Sequence, residues 1–251
     1  MFMCRLKRFS YSKISSFLFI LISIYLLLYL QPFVLPHDKN LNRTYQHFSD
    51  DNFTRCLIHA ENAFKNLSLP WFLAFGSALM YHRSNNFISD DIDIGIFYDD
   101  LIRNNITERK LILTLRKFDF KYLRRYGQMN NGKGWTLSCP KSKLHFGIFI
   151  FYRINFQIET DKPYVWWTAS YNGPCAKMPF KKCRRGFLEI NLEKFQMFGK
   201  LFYVVSKQFL IDQYGEQWMI PHKYNYAQSI KIMPNLIDKQ YNSEYFNKED
   251  Y

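Results

Sequence analysis

Asp91 and Asp93 are the residues whose type and spacing speak most directly of chemistry. They stand in Asp90-Asp91-Ile92-Asp93-Ile94-Gly95-Ile96, where acids alternate with isoleucines. A period of two is that of a β-strand, so both carboxylates leave one face and the isoleucines the other. Residues two apart on a strand are separated by roughly 7 Å at Cα, close enough for both carboxylates to reach one hard cation. The plainer reading of the same pattern is a solvent-facing strand with alternating polarity. Asp90 fits a turn-capping role better than a ligand role.

The elements needed to position that pair are legible around it. After Pro70, Trp71-Phe72-Leu73 and Phe75 read as the start of a buried strand. Gly76-Ser77 predicts a tight turn whose backbone amides open the next helix as an anion site. Upstream, Phe53, Cys56, Leu57, Ala60, Phe64 and Leu67 follow helical spacing, with Asp50 or Asp51 as cap. Downstream, Asp99 to Asn105 reads as a loop, and Thr107 caps a helix with Leu111, Leu115 and Phe118 on one face. Asn130-Asn131-Gly132-Lys133-Gly134 predicts a turn followed by a short strand at Trp135-Thr136-Leu137. Leu144 to Tyr152 is a second buried strand, with His145, Gly147, Phe149 and Phe151 sharing a face. The aromatic, basic stretch from Tyr164 to Phe187 stays unassigned. Ser206 and Gly215 bracket a short helix. Strands alternating with helices point to an α/β or α+β layer fold.

The ends of the chain bear on where this chemistry happens. The formal net charge is +13, and Arg5, Lys7, Arg8 and Lys13 lie in an N-terminal stretch without acids, leaving +9 for the remainder. That excess favours anionic partners. Residues 14–35 carry no charge and are almost wholly apolar, matching the ~20 residues that a membrane-crossing helix needs. No small-residue cleavage site follows, so a signal anchor fits better than a cleaved signal peptide. Basic residues before the segment put the N-terminus in the cytosol. The expected organisation is a cytoplasmic tail (1–13), a single transmembrane anchor (14–35), a stem (36–50) and a luminal domain (51–251). Four glycosylation sequons, at Asn42, Asn52, Asn66 and Asn105, suit a luminal body. A Golgi or endoplasmic reticulum membrane protein of type II topology is therefore expected, and nucleic acid is not an expected partner.

Cys4 falls in the cytosolic tail. Cys56, Cys139, Cys175 and Cys183 fall in the luminal body, where they allow three disulfide pairings. A local Cys175–Cys183 bridge is one candidate. Zinc is disfavoured because a second close Cys or His pair is missing.

Gly76-Ser77-Ala78-Leu79, Arg83 and Asp90-Asp91-Ile92-Asp93-Ile94, in that order and spacing, resemble the LicD/fukutin family of transferases with a nucleotidyltransferase fold. A closing block, Tyr214-Gly215-Glu216-Gln217-Trp218 with Pro221, resembles that family's Tyr-Gly-x-x-Trp-x-x-Pro. The resemblance spans about residues 71 to 221. It implies a nucleotidyltransferase-like mixed sheet flanked by helices, with Mg2+ or Mn2+ on Asp91 and Asp93 and the donor phosphates at Gly76 and Ser77. The implied reaction moves a phospho-alcohol, such as ribitol phosphate or phosphocholine, from a CDP-linked donor to a glycan or glycoprotein. Arg83, Lys181, Lys182, Arg184 and Arg185 would then face phosphates, although such a basic run is more often a solvated face. Trp166 and Trp167 read as sheet packing or as a sugar platform.

The chain departs from the family at one position. The family carries a third aspartate in a His-x-Asp-hydrophobic context, and Leu144-His145-Phe146-Gly147-Ile148 has glycine there. Three readings stay open: a local misalignment, His145 acting as the base in its place, or a family member that binds without turnover. A luminal sugar-nucleotide glycosyltransferase with an Asp-x-Asp motif is a further alternative.

Overall fold

A computed structural model of the chain describes residues 48–49, 51–84, 86–87, 89–154, 163–171, 182–221, 234–240 and 245–246. In chain order these form β1 (Phe48–Ser49), α1 (Asp51–Asn66), β2 (Phe72–Leu73), α2 (Phe75–Ser84), β3 (Asn86–Phe87) and β4 (Asp91–Phe97). Then come α3 (Tyr98–Arg103), α4 (Glu108–Lys117), β5 (Lys121–Gln128), β6 (Asn131–Ser138) and β7 (His145–Arg153). The rest are β8 (Trp166–Ser170), β9 (Lys182–Phe187), β10 (Leu192–Met197), β11 (Lys200–Val205), α5 (Lys207–Tyr214), β12 (Leu236–Gln240) and β13 (Tyr245–Phe246).

The result is a mixed α+β fold, a large sheet flanked by helices. Its strands run β10–β11–β2–β4–β7–β6–β5–β13, and β8, β9 and β12 continue from β7 as a branch. At the centre β4 and β7 pair in parallel, from Asp91 opposite His145 to Phe97 opposite Phe151. β2 lies antiparallel to β4 and parallel to β11, so strands of both directions meet beside the acidic pair.

Local chemistry explains most of these elements. Helix α1 buries Phe53, Cys56, Leu57, Ala60, Ala63 and Phe64, the face its spacing predicts. Thr107 caps α4 by accepting from the Lys110 amide. Gly215, at φ 84°, ends α5 in the left-handed region, where a side chain is disfavoured. The Asp99–Asn105 stretch is a helix for most of its length rather than a loop. Asp99 and Asp100 sit in the first turn of α3, where acids favour a helix start, and Arg103 closes on Asp100 at 3.0 Å. The Asn130–Gly134 turn is likewise tighter than expected. Strand β6 already begins at Asn131, and Gly134 sits inside the ladder opposite Tyr126 and Phe149. The unassigned stretch supplies β8 and β9, with Trp167 stacked on Tyr152 and Trp166 tilted against Phe97.

Cys56 and Cys139 form a disulfide that ties α1 to the residue after β6 across 83 positions. Both are buried. Cys183 is disulfide-bonded as well, and Cys175 lies outside the described residues. Among the described residues no helix is long and apolar enough to cross a membrane; the expected anchor at 14–35 lies outside them, as do Asn42, Lys181 and most of the expected stem. At the end of that stem, β1 pairs with β3, so the folded body takes in residues ahead of Asp51.

Candidate functional site

The isoleucines of β4 are fully buried, and Asp91 and Asp93 on the opposite face keep some exposed surface. Tertiary structure thus respects the two-residue alternation. Each aspartate is fixed locally. The Ser89 hydroxyl donates to Asp91 Oδ1 at 2.7 Å. The Gly76 amide donates to Asp93 Oδ2 at 3.2 Å, and the Asp93 amide donates to Ser77 Oγ at 2.9 Å.

These contacts correct the expected Gly-Ser turn. Gly76 and Ser77 lie inside the first turn of α2, and the residue that turns the chain is Phe75, at φ 44°. Gly76 serves by its missing side chain: a Cβ there would stand 3.2 Å from Asp93 Oδ2. The anion held at this helix start is the chain's own Asp93 carboxylate, which suits the positive end of a helix. Ser77 is buried and accepts from the β4 backbone.

Asp93 is the electrostatic centre of the site. Burial, reinforced by the negative charge of Asp91, pushes its carboxyl up to about 7, against the pull of the Gly76 amide and Arg185. Tyr214, at the end of α5, feels the same charges. Burial raises its phenol, Asp93 and Asp91 add to the rise, and Arg185 and Arg83 oppose it. The tyrosine therefore stays neutral. Two carboxylates, two guanidiniums and one phenol are gathered from α2, β4, β9 and α5. The closing sequence block held Tyr214 without marking it as a site residue.

The expected basic run divides by strand alternation. In β9, Arg185 Nη2 donates to Ser170 Oγ at 2.7 Å and its guanidinium lies 5.7 Å from the Phe75 ring centre. Its neighbour Arg184 stands 5.6 Å over Trp167 instead. Lys182 begins the same strand. His145 opens β7 directly opposite Asp91, exposed and on the same face as the aspartates. Of the sequons, Asn52 and Asn66 lie at the two ends of α1, and Asn105 lies exposed between α3 and α4.

Gly147 stands opposite Asp93 in the parallel ladder. Among the described residues no group of three or more His, Cys, Asp or Glu side chains is arranged to hold a metal ion. The donor set is nonetheless suited to a hard divalent cation. Two carboxylates share one face, and one of them is raised chiefly by burial and further by the other's charge, a repulsion that a cation relieves.

No protein-family model matches the chain, and no curated protein matches it.

Proposed function

We propose that this chain is a membrane-anchored, lumen-facing transferase that moves a phospho-alcohol, such as ribitol phosphate or phosphocholine, from a CDP-linked donor to a glycan. The nucleotidyltransferase-like fold, the Golgi or endoplasmic reticulum address and the single N-terminal anchor belong to the same proposal. One observation carries it. Asp91 and Asp93 share a face with Asp93 clasped by the Gly76 amide, while Arg185 supplies positive charge to Asp93 and Arg83 adds charge at the neighbouring Tyr214.

Mg2+ or Mn2+ on Asp91 and Asp93 would supply neutralisation of charge on the donor phosphates. The chain's residues do the remaining work. Gly76 and Ser77 hold Asp93 at both its side chain and its backbone, so one carboxylate is preset. Arg185, restrained by Phe75 and Ser170, offers the fixed positive charge that phosphoryl transfer rewards, and Arg83 adds charge near Tyr214. His145, exposed beside Asp91, is the group to take the proton of an attacking hydroxyl.

The test is a titration of CDP against the chain with and without Mn2+. Metal-dependent CDP binding that disappears in Asp91→Asn and Asp93→Asn supports the proposal. A preference for UDP redirects it to a sugar-nucleotide glycosyltransferase. The second reading, a member of the family that binds glycan or a partner enzyme without turnover, is favoured by Gly147, which leaves Asp93 without a carboxylate neighbour on β7. Failure to bind any nucleotide in either condition would select it.

A further inference from the structure

The acidic side of the site and its basic side meet at a residue without chemistry of its own, Phe75. Its backbone lies in the left-handed region at φ 44°, a conformation uncommon for any residue with a bulky side chain. Such a conformation persists only where the surroundings over-determine it. Here they do: the ring packs against Phe149 at 4.8 Å, Phe209 at 5.4 Å, Phe151 at 6.0 Å and Phe187 at 6.4 Å. Phe187 and Phe209 are themselves stacked in parallel, 4.3 Å apart.

This strained residue does two things. Its backbone starts α2, which aims the Gly76 amide at Asp93. Its ring carries the guanidinium of Arg185, which also donates a hydrogen bond to the hydroxyl of buried Ser170. Arg185 is thereby a positive group of restrained orientation rather than a freely swinging surface charge. A planar guanidinium restrained by a ring and a hydroxyl suits the oxygens of a phosphate better than an ammonium does. The placement is specific to this member of the basic run, since Arg184 lies over Trp167.

We propose that Arg185, seated on Phe75 and tied to Ser170, is the phosphate anchor that faces the Asp91–Asp93 pair, and that Phe75 is the positioning residue that keeps anchor and carboxylates in register. The phosphate is that of the donor nucleotide. Only this last identification rests on the transferase reading above.

The test uses the detergent-solubilised 251-residue chain, with inorganic pyrophosphate, CDP and glycerol 3-phosphate as probes in the presence of Mn2+. Arg185→Gln should weaken pyrophosphate and CDP binding by at least about tenfold, the scale of a charged hydrogen bond. Arg185→Lys keeps the charge but loses the planar fork, and should weaken both by about threefold or more. Phe75→Leu keeps an apolar core residue while removing the ring. It should weaken both phosphate probes about fivefold in a chain whose circular dichroism spectrum is unchanged, and Mn2+ affinity by electron paramagnetic resonance should fall as well, since the same backbone starts the helix that clasps Asp93. Phosphate binding unchanged in that folded variant overturns the positioning role of Phe75. Lys194→Gln, an exposed charge on β10, controls for net charge.

Pyrophosphate binding indifferent to both Arg185 variants overturns the anchor. Metal-dependent CDP binding that is equally indifferent overturns the anchor while sustaining the transferase reading. Arg185-dependent pyrophosphate binding without any gain for CDP sustains the anchor and removes the cytidine donor. A loss confined to glycerol 3-phosphate overturns the assignment to the donor, since it would place the acceptor's phosphate at Arg185.

Discussion

Gly147 lies directly opposite Asp93 in the parallel ladder of β4 and β7, and a Cβ at Gly147 would stand 3.0 Å from Asp93 Oδ1 and 3.2 Å from Phe149 Cε2. Side chains paired in this way project from the same face of a sheet. Under the proposed reading, the position of the family's third aspartate is thus beside the metal candidate, where glycine places no side chain. A third carboxylate would enter a tight space next to an acid that already resists ionisation. Gly147→Asp should destabilise the metal-free chain by about 1–3 kcal/mol from crowding, with like-charge repulsion added. Mn2+ should return more stability to this variant than to the parent. Thermal melts in chelator and in Mn2+ measure both effects, and an unchanged melt in chelator would show that the neighbours give way freely.

The raised Asp93 carboxyl predicts a pH dependence of definite sign. Its folded value near 7 lies above the ordinary carboxylate range of about 4. Between about pH 4 and pH 7 the folded chain therefore holds more protons than the unfolded chain, and stability falls as pH rises through that window. In the metal-free protein the contribution is fully present below pH 4 and lost above pH 7. Asp93→Asn should flatten this fall, and Mn2+ affinity should climb as pH passes 7 because the cation competes with that proton. Urea unfolding at stepped pH, run on parent and variant, reads the slope. Parallel slopes in the two proteins would exclude Asp93 as its source.

The Cys56–Cys139 bridge closes a long loop between α1 and the end of β6. Removing such a bridge typically costs about 2–5 kcal/mol. The double variant Cys56→Ala, Cys139→Ala should lower the urea midpoint accordingly. Reduction with dithiothreitol also reaches the Cys183 disulfide, so it should lower the midpoint at least as far.

His145 and Asp91 face one another across the first rung of β4 and β7. If His145 takes the acceptor's proton, His145→Gln should slow transfer by about a hundredfold or more while leaving the Kd for CDP within about twofold. A kcat equal to the parent's would remove His145 from the chemistry.

Much of this molecule can be read along the chain. The alternation of Asp91, Ile92, Asp93 and Ile94 is a local property, as are the apolar stripe of α1, the Thr107 cap and the Gly215 stop. Short-range sterics and the helix or strand period dictate each of them, whatever the rest of the chain does. The site itself was half legible for the same reason. Gly76, Ser77, Asp91 and Asp93 lie within one strand–helix–strand unit, and their proximity follows from chain connectivity.

What remained hidden depends on partners distant in sequence. Four cysteines allow three pairings, and only the packing of α1 against the end of β6 selects Cys56 with Cys139. Arg184 and Arg185 are indistinguishable as letters, and the register of β9 against β8 sends one over Trp167 and the other onto Phe75. Nothing in a phenylalanine announces a left-handed backbone. That conformation is stable only because four distant aromatic rings close around it. That two carboxylates leave one face of a strand is a local property of the chain. Tertiary structure decided what stands opposite them, because strand register and partner choice are set by burial summed over the whole core, not by any local run of residues.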